Sequence, residues 1–258
     1  YDAINEFDAD IAFGRFRRVF TQLNKVQKSY SPYIDQLEKY YPDEEFQEAN
    51  PLNVSDDVWN MAGKKILYGK DNPSTVNREK PVDTIFVKSI EEEIDILKAP
   101  PSVWTKLYRR NLIIDNNIRF PHYICGDDMA FALEAFLKAE GIVFLNNFIC
   151  YNYYIRDFED DKSITNNVNL RFLKDLMDSY TYCRRKTEGF SSNVQSSAID
   201  HHLLYWAKTW KSSSFTKEEN IELLKSVNRL KKIHKSTLKS RLLLSFISTA
   251  MNSVIYTK

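Results

Sequence analysis

Cys125-Gly126-Asp127-Asp128-Met129-Ala130-Phe131 is the stretch on which the reading of this chain turns. A glycine and two adjacent carboxylates open a helix through Lys138 whose Met129, Leu133, Phe136 and Leu137 recur at helical spacing. The acids therefore stand at a helix N-terminus, where free backbone N–H groups and the helix dipole favour an ionised carboxylate. An acid so placed can serve as a base near neutral pH. It can equally be a plain cap, since Asp is among the best N-cap residues.

Downstream, Gly141 stops the helix and Ile142-Val-Phe-Leu145 reads as a buried strand. Asn146-Asn147 reads as a tight turn into a second strand, Phe148 to Ile155. Upstream, Ser89 to Leu97 fits a helix that ends before Pro100-Pro101. The block Trp104-Thr-Lys106-Leu-Tyr-Arg-Arg follows, then a turn at 115–117 and Ile118-Arg119-Phe120-Pro121.

At the start, Tyr1, Ile4 and Phe7 share a helical face with no cap before them, so the chain reads as opening inside an element already under way. Asp10 to Phe16 alternates as a short strand, and a helix tail leading into a strand is one step of an α/β alternation. Asp8-Ala-Asp10 spells a metal-type acidic triplet, but its place between helix tail and strand argues for a decoy, because a hard cation needs oxygens that converge on phosphates. Residues 21–48 read as a polar helix broken by Pro32 and Pro42, and a second helix follows from Ser55 to Leu67. The loop at 70–81 is locally basic, either a solvated segment or an anion-contacting lid.

Beyond Asn169 the pattern is helical. Leu170, Leu173, Leu176 and Met177 form one apolar stripe; Ile199, Leu203, Leu204, Trp206 and Trp210 form another, and Glu218 to Leu230 a third helix. His201 and His202 lack the further ligands a metal site needs. From Lys225 to Arg241 seven basic residues occur with no acid between them, ahead of the apolar Leu242 to Met251. That segment is too short to span a bilayer, and residues 225–251 can either lie on an anionic membrane surface or pack on their own domain.

Composition narrows the classes. The chain has 258 residues, 43% of them hydrophobic and 14% aromatic, enough for a buried core and incompatible with disorder. A net charge of +1 gives no general attraction to nucleic acid, and the basic run lacks interleaved stacking aromatics, so no nucleic-acid partner is expected. Three scattered cysteines, Cys125, Cys150 and Cys183, form neither a disulfide framework nor a zinc pattern, which points to a reducing compartment.

The ordered series Pro101…Trp104…Lys106-Leu-Tyr-Arg-Arg, Arg119-Phe-Pro, Gly126-Asp-Asp-Met-Ala-Phe, Tyr153-Tyr-Ile-Arg156 and Ser163-Ile-Thr165 resembles family 2 glycosyltransferases of bacterial surface polysaccharides, including wall teichoic acid and capsule sugar transferases. The resemblance covers Tyr1 to about Thr165 and is strongest from 101 to 165. It implies an α/β fold, a partial GT-A domain with a Rossmann-like mixed sheet over 1–167, an insertion at about 21–98, and a helical C-terminal region over 168–258.

It further implies inverting transfer of a sugar from a nucleotide-sugar donor to a glycan or polyol-phosphate acceptor, lipid-linked or free. The second acid of the family's pair is the catalytic base, which here is Asp128 with Asp127 beside it. Trp104 and Lys106 match a substrate-binding W-x-K. Arg156, Ser163 and Thr165 match a segment that closes over the diphosphate, a role suited to Arg's bidentate contact with phosphate oxygens.

The family's metal-binding D-x-D falls before Tyr1, so no metal ligand is expected in this chain, while Mg²⁺ or Mn²⁺ is expected for the full-length enzyme. The isolated chain is expected to be inactive alone. Its expected place is the cytoplasm, peripheral at the inner membrane face. The alternative is a non-catalytic scaffold that binds glycan, membrane or a protein partner.

Overall fold

The computed structural model describes residues 2–20, 25–28, 84–155 and 168–256. Its centre is a mixed sheet. Strand β1 (Ile11–Phe20) pairs in parallel with β5 (Ile142–Ile155) on one side. On its other side it pairs antiparallel with β4 (Lys106–Tyr108) and then β2 (Lys25–Lys28), while β3 (Thr84–Val87) closes the far edge against β5.

The opening four residues of β1 (11–14) and of β5 (142–145) carry no polar side chain because both faces of the sheet are covered there. Ile11, Phe13, Ile142 and Phe144 point into the large core under the helices. Ala12, Val143 and Leu145 point the other way, onto Ile4 and Phe7 of the short α1 (Asp2–Glu6) and the turn after it. Parallel pairing of two strands far apart in sequence requires a crossover, and its last piece is helix α3 (Asp127–Lys138), which leads through Gly141 into β5.

Three elements differ from the sequence reading. Asn146-Asn147 makes no turn: β5 runs unbroken to Ile155, and a bulge takes up the extra residues, the register stepping from Gly14–Leu145 to Arg15–Ile149. Gly14 is needed there, since a Cβ would stand 2.8 Å from the Phe148 carbonyl oxygen. The Ser89–Leu97 helix shrinks to a 3₁₀ segment, Ile94–Lys98, with the Glu93 carboxylate accepting from the Asp95 N–H at its start. Lys25–Lys28 is strand where helix was expected. The Ser55 helix, the basic loop at 70–81 and most of the expected insertion lie outside the described residues.

A short helix α2 (Arg110–Asp115) follows β4. The C-terminal region is helical as read: α4 (Leu170–Lys186), α5 (Ser192–Ser197), α6 (Asp200–Lys211), α7 (Lys217–Ile233) and α8 (Leu238–Tyr256). Local chemistry sets their starts. The Asn169 side chain accepts from the Phe172 N–H, Ser191 from Val194, and Thr216 with Glu219 forms a reciprocal capping box on α7. Leu204, placed in an apolar stripe from sequence, instead faces solvent at 55% exposure. Among the described residues no helix is long and apolar enough to cross a membrane.

One buried apolar cluster runs from β1 and β5 through α3 into α4, α6, α7 and α8. Where α5, α6, α7 and α8 meet, the buried Asp200 carboxylate accepts from Ser196 (2.6 Å) and Ser240 (2.9 Å) and pairs with His234 Nε2 at 2.8 Å. These partners hold its pKa below the usual carboxylate range against the opposing effect of burial.

Candidate active site

Helix α3 runs back from the start of β5, so its N-terminus overlies the later part of the parallel pair, the side where ligands sit in open α/β sheets. Gly126 makes this possible as an N-cap in the left-handed region, φ 89°. Its carbonyl accepts from Ser179 Oγ of α4 at 2.6 Å, and the approach is so close that a Cβ on Gly126 would lie 2.8 Å from Ser179 Cβ. Nearby, the Ile124 N–H donates to Asp175 Oδ2 at 2.8 Å. The turn that presents the acids is thus fastened to the C-terminal helices at two points.

Asp127 and Asp128 form the first turn of α3. Burial raises the pKa of Asp128 and the neighbouring Asp127 adds to it; a hydrogen bond from the Val103 backbone and the Lys106 charge pull the other way without cancelling the rise. Burial therefore acts in the direction opposite to the one the helix N-terminus alone argues for. The result is a carboxylate more basic than an ordinary Asp, which suits proton abstraction near neutral pH.

Lys106 is 7% exposed and turned inward. Its ammonium donates to the Pro100 carbonyl (2.6 Å), the Ser102 carbonyl (2.8 Å) and Thr105 Oγ1 (3.2 Å), and lies 5.8 Å from the Phe13 ring centre. Burial brings its pKa down to about 7, against the opposing charges of Cys150 and Asp128. Lys106, expected from sequence to bind substrate, has all three donors committed to the chain itself in this arrangement. What the lysine does is fix the 100–105 segment, whose Val103 N–H reaches Asp128.

Trp104 is half-buried in an aromatic group. It stacks on Tyr153 (5.5 Å between centroids, 6° between planes), leans on Tyr151 at 4.4 Å and meets Phe16 edge-on at 5.0 Å. Tyr151, 41% exposed, gives the group an open apolar face. Arg156, Ser163 and Thr165 lie outside the described residues, so of the seven expected site residues the structure brings together Trp104, Lys106, Asp127 and Asp128.

The Asp8-Ala-Asp10 triplet does not converge. Asp8 pairs with Arg109 at 2.7 Å, while Asp10 Oδ2 accepts from the Glu140 N–H at 2.8 Å. Among the described residues no group of three His, Cys, Asp or Glu side chains is placed to hold a metal ion.

Tyr108 was missed by the sequence reading. Its ring meets Phe131 edge-on at 5.4 Å, and its buried hydroxyl finds no hydrogen-bond partner among the described residues. Burial and the charge of Asp128 push the phenol pKa up, keeping it a neutral donor. Strand alternation could have flagged it: positions 106 and 108 of β4 share a face, with Leu107 pointing to solvent.

No family model matches this chain. Over 94 residues, 36% of its length, it is 30% identical to a cholesterol galactosyltransferase of Borreliella burgdorferi, of which it covers 25%. Its fold is similar to that of S. aureus TarS 1–349 crystallised in complex with UDP-GlcNAc, with a TM-score of 0.53 at 15% identity, over all of this chain and 64% of that one. The chain thus spans a quarter of the curated relative and less than two thirds of the structural one.

Proposed function

We propose that this chain is the base-carrying part of an inverting, GT-A type glycosyltransferase of family 2, acting on a bacterial surface polysaccharide or teichoic-acid-like acceptor. The observation that carries the reading is Asp128, a half-buried acid with raised basicity at the start of α3, held by the Val103 N–H and faced by Lys106 and Tyr108. The partial identity with a galactosyltransferase and the fold shared with TarS, solved with UDP-GlcNAc, support a nucleotide-sugar donor.

In this mechanism Asp128 accepts the proton of an acceptor hydroxyl as that oxygen attacks the anomeric carbon. The bond from that carbon to the diphosphate breaks, and the nucleoside diphosphate leaves from the opposite face, so configuration inverts. One base suffices because the leaving diphosphate needs charge stabilisation rather than a proton. Asp127 raises the basicity of its neighbour. Trp104 and Tyr151 offer an apolar face against which a sugar ring can lie, and the Tyr108 hydroxyl, without a partner among the described residues, can donate to a bound oxygen.

Arg156, Ser163 and Thr165 are assigned to the diphosphate by their match to the family segment. Mg²⁺ or Mn²⁺ is proposed for the full-length enzyme only. Asp8 and Asp10 do not fit as its ligands, being engaged with Arg109 and the Glu140 N–H.

The test is Asp128→Asn in the full-length protein. Transfer should fall about 10²- to 10⁴-fold while nucleotide-sugar binding by calorimetry changes less than about twofold. Near-normal transfer would remove Asp128 from the mechanism. A full-length protein that binds acceptor glycan but turns over no nucleotide sugar would favour the scaffold alternative.

A further inference from the structure

Helix α8 is apolar on two opposite sides. Its inner side buries Leu244, Ile247, Met251 and Ile255. Its outer side carries Leu238, Leu242 and Phe246, one turn apart and 63%, 61% and 72% exposed. Core packing accounts for the inner stripe only. Three large apolar side chains in one exposed row are unlike the scattered exposed apolar residues of ordinary surfaces.

The charge around the row is one-sided. From Leu223 through Lys258 the sequence contains eight Lys and Arg and no Asp or Glu. Lys232, Lys235, Lys239 and Arg241 are exposed, and Lys239 falls on the same ridge as Leu242 and Phe246, three and seven residues before them. Arg229, further back on α7, is turned toward Asp178 of α4. An apolar ridge including an aromatic, flanked by cations with long apolar stems, is the composition of a helix that lies in a lipid interface, stems snorkelling toward headgroups.

We propose that the outer side of α8, Leu238, Leu242 and Phe246 with Lys235, Lys239 and Arg241, docks this chain on an anionic phospholipid surface. Complementary charge selects this occupant: a second copy of the chain would bring the same cations face to face, whereas anionic headgroups neutralise them. The inference is independent of the glycosyltransferase reading, because it uses neither Asp128 nor any residue of that site.

The experiment is co-sedimentation of the chain with vesicles of phosphatidylcholine alone and of roughly two parts phosphatidylcholine to one of phosphatidylglycerol. Binding should be at least about tenfold stronger to the anionic vesicles and should weaken as salt shortens the screening length. Leu242→Ser with Phe246→Ser should lower anionic-vesicle binding about tenfold or more, with unchanged circular dichroism, while Leu204→Ser at another exposed position should not. The Phe246→Trp variant should gain an emission, over that of the parent chain, that blue-shifts on vesicles and is quenched by brominated lipid, a readout that holds even if the serine variants fold poorly. Equal binding to both vesicle types, no response to the paired serine change, an added indole emission that brominated lipid leaves unquenched, or a self-associated chain that the serine change returns to monomer would each overturn the proposal.

Discussion

Replacing Gly126 with alanine tests the joint on which the site depends. The residue sits at φ 89°, where an L side chain costs about 1–2 kcal/mol. The new Cβ would stand 2.8 Å from Ser179 Cβ and 3.3 Å from Leu176 Cδ2. Ser179 Cβ is fixed by the α4 backbone and cannot rotate away, so α4 and α3 must part by about half an ångström or more, an overpacking cost of about 1–3 kcal/mol. Parting them stretches the 2.6 Å Ser179 Oγ bond to the Gly126 carbonyl, worth about 1 kcal/mol. Gly126→Ala should therefore destabilise the chain by about 3–6 kcal/mol, read as a lower urea midpoint at unchanged m-value. Ser179→Gly in the same chain removes the Cβ contact but not the backbone strain, so the double variant should show a favourable coupling of about 1–2 kcal/mol and incomplete recovery. A Gly126→Ala chain within about 0.5 kcal/mol of wild type, or a pair that behaves additively, would show that α4 does not brace the acidic turn.

Two further outcomes follow from buried cations and imidazoles. Lys106→Met leaves the Pro100 and Ser102 carbonyls and Thr105 Oγ1 without their donor, which should cost about 3 kcal/mol in urea unfolding. It also removes a cation that lowers the Asp128 pKa, so under the proposed function the acid limb of the full-length protein's pH–rate profile should move to higher pH; an unmoved limb would uncouple the two residues. His201, with Lys98 and Asp200 as charged neighbours, is held down to about 4 by burial, and His202, its ring centre 3.6 Å away and tilted by 41°, is shifted the same way. The unfolded chain then binds more protons between pH 6.5 and 4, so this stability is complete above the unfolded pKa of about 6.5 and declines as pH falls through that window, by up to about 3 kcal/mol for His201. Urea midpoints at neutral and mildly acidic pH should show the decline, and His201→Gln should flatten it.

Periodicity made α3, α4, α6 and α7 legible, because each buries one stripe against the single apolar cluster. It failed where tertiary context rules. Asn146-Asn147 carries turn chemistry, yet pairing with β1 on one side and β3 on the other keeps β5 extended and turns the surplus residues into a bulge opposite Gly14. The acidic pair was legible as a helix start, but the basicity of Asp128 was not: the helix terminus argues downward, and only the packed surroundings show the burial that raises it. Lys106 was legible as a site residue by its neighbours in sequence, whereas its inward turn depends on the Pro100 and Ser102 carbonyls folding over it. Tyr108 went unnoticed because a tyrosine in a strand is ordinary until its hydroxyl is seen to lack a partner among the described residues.

The position of Asp128 depends on three pieces of chain that are remote in sequence. The segment at 100–105, pinned by Lys106, brings the Val103 N–H; β4 brings Tyr108; and α4 grips the turn through Ser179 and Asp175. Each constrains a different freedom of the acid: its hydrogen bond, its field and its backbone. Under the proposed role as a base, Asp128 gains from this division, because a single strong partner such as a direct ion pair would depress its pKa. Lys106 acts on Asp128 as a neighbouring charge while its own hydrogen bonds go to carbonyls, so it tempers the carboxylate without neutralising it. The C-terminal helices therefore do more than complete the core: without α4 there is no surface against which the left-handed glycine can lock, and the carboxylate would have no fixed direction in which to accept a proton.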